Sequence, residues 1–579
     1  MDFCVKYVDM HNRDIQLDIT EWIVYNVYMH VARAKWKSKN GKVYESVWLR
    51  QSYREGGKVK KRAVLNLKGF SPEEINALEL ALKYKGRLKE LCALKGMTLK
   101  QGGSVGAVWV VYEVARRLGV ERVLGGDFAG KLGLWQVIAR VIDQGSRLSA
   151  VRLAQGHVAC EILALKRGFS ENDLYENLEW LSGRQEEIEK RLFEARWRGV
   201  KPTLFLYDVT SSYLEGEENE LGAYGHDRDG KEGKKQIIVG LLCDEVGEPV
   251  SVGVFKGNTQ DAKTFASQVE KVCRVLGCER VAMVGDRGMI KSGQIEELAR
   301  VGFHYITAIT KPQIEALLKA GVLEMELFDE MLCEVEHEGV RYVLRRNPHR
   351  VEQLARSRAD KVRTIKALIA RENTRLATHP RSAVGKAERT VREKIERLRL
   401  ERWLGVRIEG CALALETDAA ALAEHTRLDG CYVLKSDLPP EVADRTTIHE
   451  RYKDLAKVEQ AFRTIKTAHL EMRPIYVRTE ESTRGHALVV MLAYLVRRAL
   501  QRAWASFDLT VEEGLDQLKT LCVTEIQFPD GTVAHQIPEP CDQSRLLLDA
   551  LGLKLPDALP KSHARVVTYK KLSARRKPP

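Results

Sequence analysis

The chain lacks any apolar run long enough to cross a bilayer. The longest, Ala487 to Val496, closes on Arg497 and Arg498, roughly half of the 20 residues a helical span requires, so it predicts a buried core helix. An apolar leader is missing too, because MDFCVKYVDMHNRDIQ carries charges where a signal peptide needs a hydrophobic stretch. Nothing directs export, and a cytoplasmic protein with no membrane partner is expected. The eleven cysteines, Cys4 to Cys541, are scattered, odd in number and contain no C-x-x-C pair, which argues against a zinc site and against a disulfide framework. Reduced, mostly buried thiols remain. What the chain does have is size and positive charge. Its 579 residues exceed one ordinary core, and a formal charge of +13 with a pI near 9.1 fits a polyanionic partner such as nucleic acid.

From about Tyr25 to Leu67, β-prone residues alternate with the turn signals Lys39-Asn40-Gly41 and Glu55-Gly56-Gly57, which predicts two small hairpins. Arg33, Lys35 and Lys37 alternate so as to share one strand face. Arg50, Lys58, Lys60, Lys61 and Arg62 add to the charge. Such a ribbon suits a DNA groove, and solvated edge lysines that block aggregation would look the same. Ser71 is placed as the N-cap of SPEEINALELALK, and helical periodicity continues to about Arg198, with Gly102-Gly103 as a flexible joint. At Pro202 the pattern changes. TLFLYDVTSSY, KKQIIVGLLCD and PVSVGVFKG read as a three-stranded meander, followed by a helix, the strand RVAMVGD, a second helix and the strand FHYITAIT. This order fits an RNase H-like α/β fold, with Asp208 and Asp286 at carboxyl ends of strands.

The expected organisation is a small β-hairpin region over 1–70 and a helical DNA-end-binding module over 71–200. The α/β core then occupies 201–310 and 446–505, interrupted by a mixed insertion domain over 311–445, and 506–579 is a C-terminal region with a basic tail. The charged helical stretch from Val351 to about Trp403 has a basic face suited to a DNA backbone. Its mixed signs, as in Glu388, Arg389, Arg392, Glu393 and Lys394, favour a solvated helix held by i,i+4 pairs.

The chemistry concentrates in YKDLAKVEQAFRTIK. Tyr452, Glu459 and Lys466 recur every seven residues, which on a single helix places them along one face. Leu455, Val458, Phe462 and Ile465 supply an apolar stripe beside them. Asp208, Asp286 and Glu459 together match what phosphodiester chemistry asks for, since hard divalent cations prefer a few carboxylates with water and phosphate oxygens. Thr210, Ser211 and Ser212 are positioned to support Asp208. His226, Asp227 and Asp229 read as a surface turn, and Asp261 as a helix N-cap.

Several motifs, in order, resemble the DDE transposases of bacterial insertion sequences, in the branch marked by a Tyr-x-x-Arg-x-x-x-Glu-x-x-x-x-x-x-Lys signature. They are YDVTSSYLEG, AYGHDRDGKEGKKQIIVGLLCDEVGEPV, FKGNTQDAKTF, VGDRGMIKSG, DGCYVLKSD and IHERYKDLAKVEQAFRTIKTAHLEMRPIYV, running from about Pro202 to Trp504. The resemblance implies Asp208, Asp286 and Glu459 as ligands of two Mg²⁺ ions, with Mn²⁺ able to substitute, and Tyr452 and Lys466 as contacts to the cleaved DNA end. It further implies cut-and-paste transposition of double-stranded DNA by a nucleoid-associated protein, dimeric on paired ends. One position departs, because Leu455 stands where the signature has arginine. Arg451, Lys453 or Arg463 would supply the missing charge, with Arg463 best placed, one turn after Glu459. A metal-dependent nuclease without strand transfer, and a DNA-binding derivative without catalysis, are the rival readings.

Overall fold

The computed structural model describes residues 28–37, 43–55, 58–85 and 97–568, except 198, 217, 227, 229, 232, 330, 380, 467–468, 474–476, 529–530, 561 and 563. Most of the basic tail and of the two N-terminal turns therefore lies outside the described residues. The chain divides into two compact units, Met1–Leu99 with Ile526–Ala534, and Lys100–Glu525 with His535–Pro579.

In the first unit, β1 (Tyr28–Lys37), β2 (Val43–Glu55) and β3 (Lys58–Asn66) form an antiparallel meander, two hairpins sharing their middle strand. A helix, Pro72–Lys83, follows. Ser71 caps it as expected: its hydroxyl accepts the Glu74 N–H at 3.2 Å while the Glu74 carboxylate accepts the Ser71 N–H at 2.7 Å. Ile75 packs on Leu49 and Leu67, with Val31 and Val47 alongside, so the helix covers one face of the sheet. Strand alternation puts Arg33, Lys35 and Lys37 on that same face. Arg33 donates to Glu79 and Asn76, both at 3.2 Å, and Lys35 pairs with Glu45 directly opposite at 3.3 Å. Of the basic row on β1, two members are thus held by neighbours within the unit.

Gly102 and Gly103 lie inside a strand, β4 (Thr98–Ser104), not at a flexible joint. A Cβ on Gly102 would come within 2.9 Å of the Val523 carbonyl, a close approach that only glycine permits. Helices follow, among them Phe128–Ile142, Glu171–Gly183 and Gln185–Arg196. The central sheet then begins with β5 (Leu204–Tyr213), β6 (Gln236–Asp244) and β7 (Pro249–Lys256), an antiparallel meander. Next come β8 (Ala282–Val284) and β9 (His304–Ala308), with β8 parallel to both β5 and β9. The stretch between β9 and the last strand does not stand apart from this sheet. Its β10 (Cys333–His337) and β11 (Val340–Arg346), with β14 (Cys431–Ser436), extend it to eight strands in the order β10-β11-β14-β9-β8-β5-β6-β7.

Between β11 and β14 the helices Pro348–Thr378 and Val384–Arg397 and the hairpin of β12 (Leu404–Glu409) and β13 (Ala412–Thr417) enclose their own small core around Ile365, Val391 and Trp403. Arg389 pairs with Glu393 at 3.2 Å and Arg392 with Glu388 at 2.5 Å, both i,i+4, as a solvated helix would have it. The apolar run predicted as a core helix lies within Glu480–Ala503, where Leu488 to Ala493 are wholly buried between β7 and the helices Phe128–Ile142 and Glu171–Gly183. Among the described residues no helix is long and apolar enough to cross a membrane.

Candidate active site

Asp208 stands midway along β5, not at its end, because the strand continues to Tyr213 against β6. Its other flank is open. β8 is only three residues long and pairs Leu204 with Ala282, Phe205 with Met283 and Leu206 with Val284. Continued two residues, that register sets Asp208 level with Asp286, just beyond the end of β8. Leu204, Leu206 and Asp208 share one face of β5, and Leu204 and Leu206 belong to the same core as Val458, Ala461, Phe462 and Ile465. The helix Leu455–Lys466 therefore lies over the face that bears Asp208.

That helix is shorter than the sequence period suggested. Tyr452 belongs to a separate helix, Arg445–Lys453, and Asp454 forms the joint. The expected row of three is split over two elements, yet Tyr452 and Lys466 each bond a residue of the sheet or its edge. The Tyr452 hydroxyl donates to Asp286 Oδ1 at 3.1 Å. Lys466 Nζ donates to Thr210 Oγ1 on β5 at 3.1 Å. Glu459 and Asp286 are exposed and Asp208 is half-buried.

Burial is the main cause that pushes the Asp208 carboxyl up to about 7, and the charges of Asp286 and Glu459 add to it. The Val209 N–H, donating to Asp208 Oδ1 at 2.8 Å, and the Arg228 guanidinium pull the other way. Burial first, then the Asp286 charge, pushes the Tyr452 phenol well up, so it remains a donor. Among the described residues no three His, Cys, Asp or Glu side chains stand close enough together to form a metal cage.

The cations divide sharply. Arg451 is engaged with Asp454 at 3.5 Å and Glu245 at 4.0 Å. Arg463 and Lys453 are exposed. Leu455 packs its side chain against the core instead of facing the cleft.

Sequence reasoning missed Arg228. Its guanidinium donates to the Val209 carbonyl at 2.7 Å and to both Asp261 oxygens at 2.7 and 2.6 Å, and its backbone N–H donates to Ser211 Oγ at 3.2 Å. A single arginine in a polar loop has no periodicity to betray it. Asp261 is correspondingly the first residue of its helix and a partner of Arg228, while Gln260 holds the N-cap position. Thr210, Ser211 and Ser212 do not bond Asp208: Thr210 meets Lys466, Ser211 meets Arg228, and the Ser212 hydroxyl is buried without a partner.

An acid-bearing strand level with a second acid, under a helix bearing a third, is an arrangement for which one protein class stands out. The chain belongs to the transposase DDE domain family, whose model matches residues 200–496. Residues 32–93 match the N-terminal domain of IS1634 family transposases, which makes this a DDE transposase of the insertion-sequence type. No curated protein matches the chain. A solved structure, the piggyBac transposase synaptic complex with hairpin DNA, is similar over 67% of this chain and 69% of that one, at 7% identity and a TM-score of 0.34. A likeness that distant carries no structural argument.

Proposed function

We propose that the protein nicks DNA at the ends of its element and joins the freed ends to target DNA, using Asp208, Asp286 and Glu459 in an RNase H-like core. The observation that carries this reading is that Asp208 and Asp286 stand level across β5 and β8, on the sheet face over which the helix bearing Glu459 packs. The meander of β5, β6 and β7 beside parallel β8 and β9 is the strand order such a core has.

The donor set fits Mg²⁺ or Mn²⁺: all three groups are hard carboxylate oxygens, and Asp208 sits in like-charge surroundings that a cation relieves. Two divalent ions in such a site activate the attacking oxygen and stabilise the leaving one. The chain's own groups do the rest. Tyr452, bonded to Asp286, and Lys466, bonded to Thr210, are assigned to phosphates of the cleaved end in this reading, supported by those contacts beside the acids. Arg463 is the exposed cation nearest in sequence to Glu459, and takes the part Leu455 cannot; Lys453 is a second candidate, whereas Arg451 must first leave its acids. Hydrolysis breaks a phosphorus–oxygen bond and leaves a 3′-hydroxyl. That oxygen then attacks a target phosphate and displaces its 3′-oxygen, so the bonds balance without a covalent protein intermediate. Because two element ends are cut and joined together, the working form is a homodimer on double-stranded DNA.

Incubation with the DNA that flanks its own gene and Mg²⁺, mapping cuts on both strands, tests the reading. Cleavage at the ends and joined plasmid product are expected. Asp286→Ala lowers cleavage by at least about 10²-fold while end binding persists. A variant that still cuts overturns the assignment of the acids, and nicks without joined product leave a nuclease.

A further inference from the structure

The three-stranded N-terminal sheet has a second face, opposite its helix. Strand alternation and register assign its residues. On β1 they are Tyr28, His30, Ala32, Ala34 and Trp36. On β2 they include Trp48, Arg50 and Arg54, with Ala32 opposite Trp48 and His30 opposite Arg50. On β3, Lys61 stands in the row of Tyr28 and Ser52, and Ala63 beside Arg50. Among the described residues of the three strands no aspartate or glutamate falls on this face; Glu45 points to the helix side. Tyr28 is 69% exposed and Trp36 52% exposed. Arg54 and Lys61 are exposed as well.

Here the charge sits differently from that on the helix-side face. Arg33 and Lys35 serve the unit's own acids, whereas no ion pair engages Arg50, Arg54 or Lys61 among the described residues. By register Arg54, Lys61 and Arg50 occupy the rows at the Tyr28 end, Trp48 follows, and Trp36 stands at the far end of the face. Small residues, Ala32, Ala34 and Ala63, keep the surface between the rings low, so a planar group can lie flat on it.

We propose that this open face binds single-stranded DNA, with unpaired bases stacked on Trp36, Trp48 and Tyr28 and phosphates on Arg50, Arg54 and Lys61. A duplex offers no base faces to a ring; unpaired bases do, and stacking on exposed aromatics is how sheet surfaces take single strands. The acid-free charge suits the phosphates. This goes beyond the nicking and joining chemistry and does not rest on it.

The test uses the full-length protein and a fluorescein-labelled oligothymidylate, followed by anisotropy over a range of salt. Trp36→Ala weakens binding about tenfold, the size of one lost stacking contact, while Trp36→Phe, which keeps a ring, binds nearly as wild type. Arg50→Gln with Lys61→Gln flattens the slope of log affinity against log salt by about 1.4, from two phosphates lost. Lys58→Gln with Arg62→Gln, two cations of the helix-side face, leaves it near wild type. Three results overturn the proposal: unchanged affinity in Trp36→Ala, equal effects of the two cation pairs, or duplex DNA competing better than the single strand.

Discussion

Two carboxylates in the second unit are treated in opposite ways. Glu189, on the helix Gln185–Arg196, is wholly buried at the edge strand β7. It accepts from Lys271 at 2.8 Å, Ser251 at 2.9 Å, the Val252 N–H at 3.1 Å and Gln185 at 2.7 Å. Asp208 is less buried, yet it accepts from the Val209 N–H, its neighbours are two more acids, and the nearby arginine is already bonded to Asp261. The first acid is built to hold the fold. The second is left short of positive charge, which costs stability and leaves a demand that only something brought to the site can meet.

If that contrast is right, removing the two acids has effects of opposite sign. Glu189→Ala strands Lys271 beside an edge strand and destabilises the protein by about 3–5 kcal/mol, read as a lower urea midpoint at unchanged slope. A loss under about 1 kcal/mol would erase the distinction. Asp208→Asn acts the other way and depends on pH. The Asp208 carboxyl is raised from 3.8 to about 7 in the folded protein, so its contribution to stability is fully present below about pH 4 and is lost as pH rises through 7. Above pH 7 the asparagine variant is therefore the more stable, by about 1–2 kcal/mol once solvent screening is allowed for. Melting curves at pH 5 and pH 8 in chelator check it, and Mg²⁺ should narrow the gap by stabilising the wild type alone. The smallest effect belongs to Tyr452→Phe, which removes one hydrogen bond to Asp286 and keeps the ring. Its expected cost in cleavage is about 0.5–1.5 kcal/mol, two- to tenfold in rate; a thousandfold loss would mean that the phenol does more than position Asp286.

Much of this was legible in the chain. The β5 to β9 alternation, the Ser71 cap and the buried Ala487 to Val496 segment follow from period and propensity, which are local. What escaped was set by contacts distant in sequence. No proline or glycine marks the joint at Asp454, so a seven-residue period looked like one helix. Strand β14 pairs with β9 and β11 only because a long excursion returns it there, and no local pattern announces that partner. The split of cations between the two faces of the N-terminal sheet was half visible: alternation put Arg33, Lys35 and Lys37 together, but only the position of the Pro72–Lys83 helix says which face is covered.

The short pairing of β5 with β8 also sets how this protein can change over evolutionary time. Asp208 and Asp286 stay level because each lies two residues past the last paired rung, Leu206 with Val284. Adding or deleting one codon in either short stretch would swing an acid to the opposite face of the sheet. The excursion between β11 and β14, with its own core, is under no such constraint. Among related elements, length should vary freely there while the two-residue steps after Leu206 and Val284 keep their count.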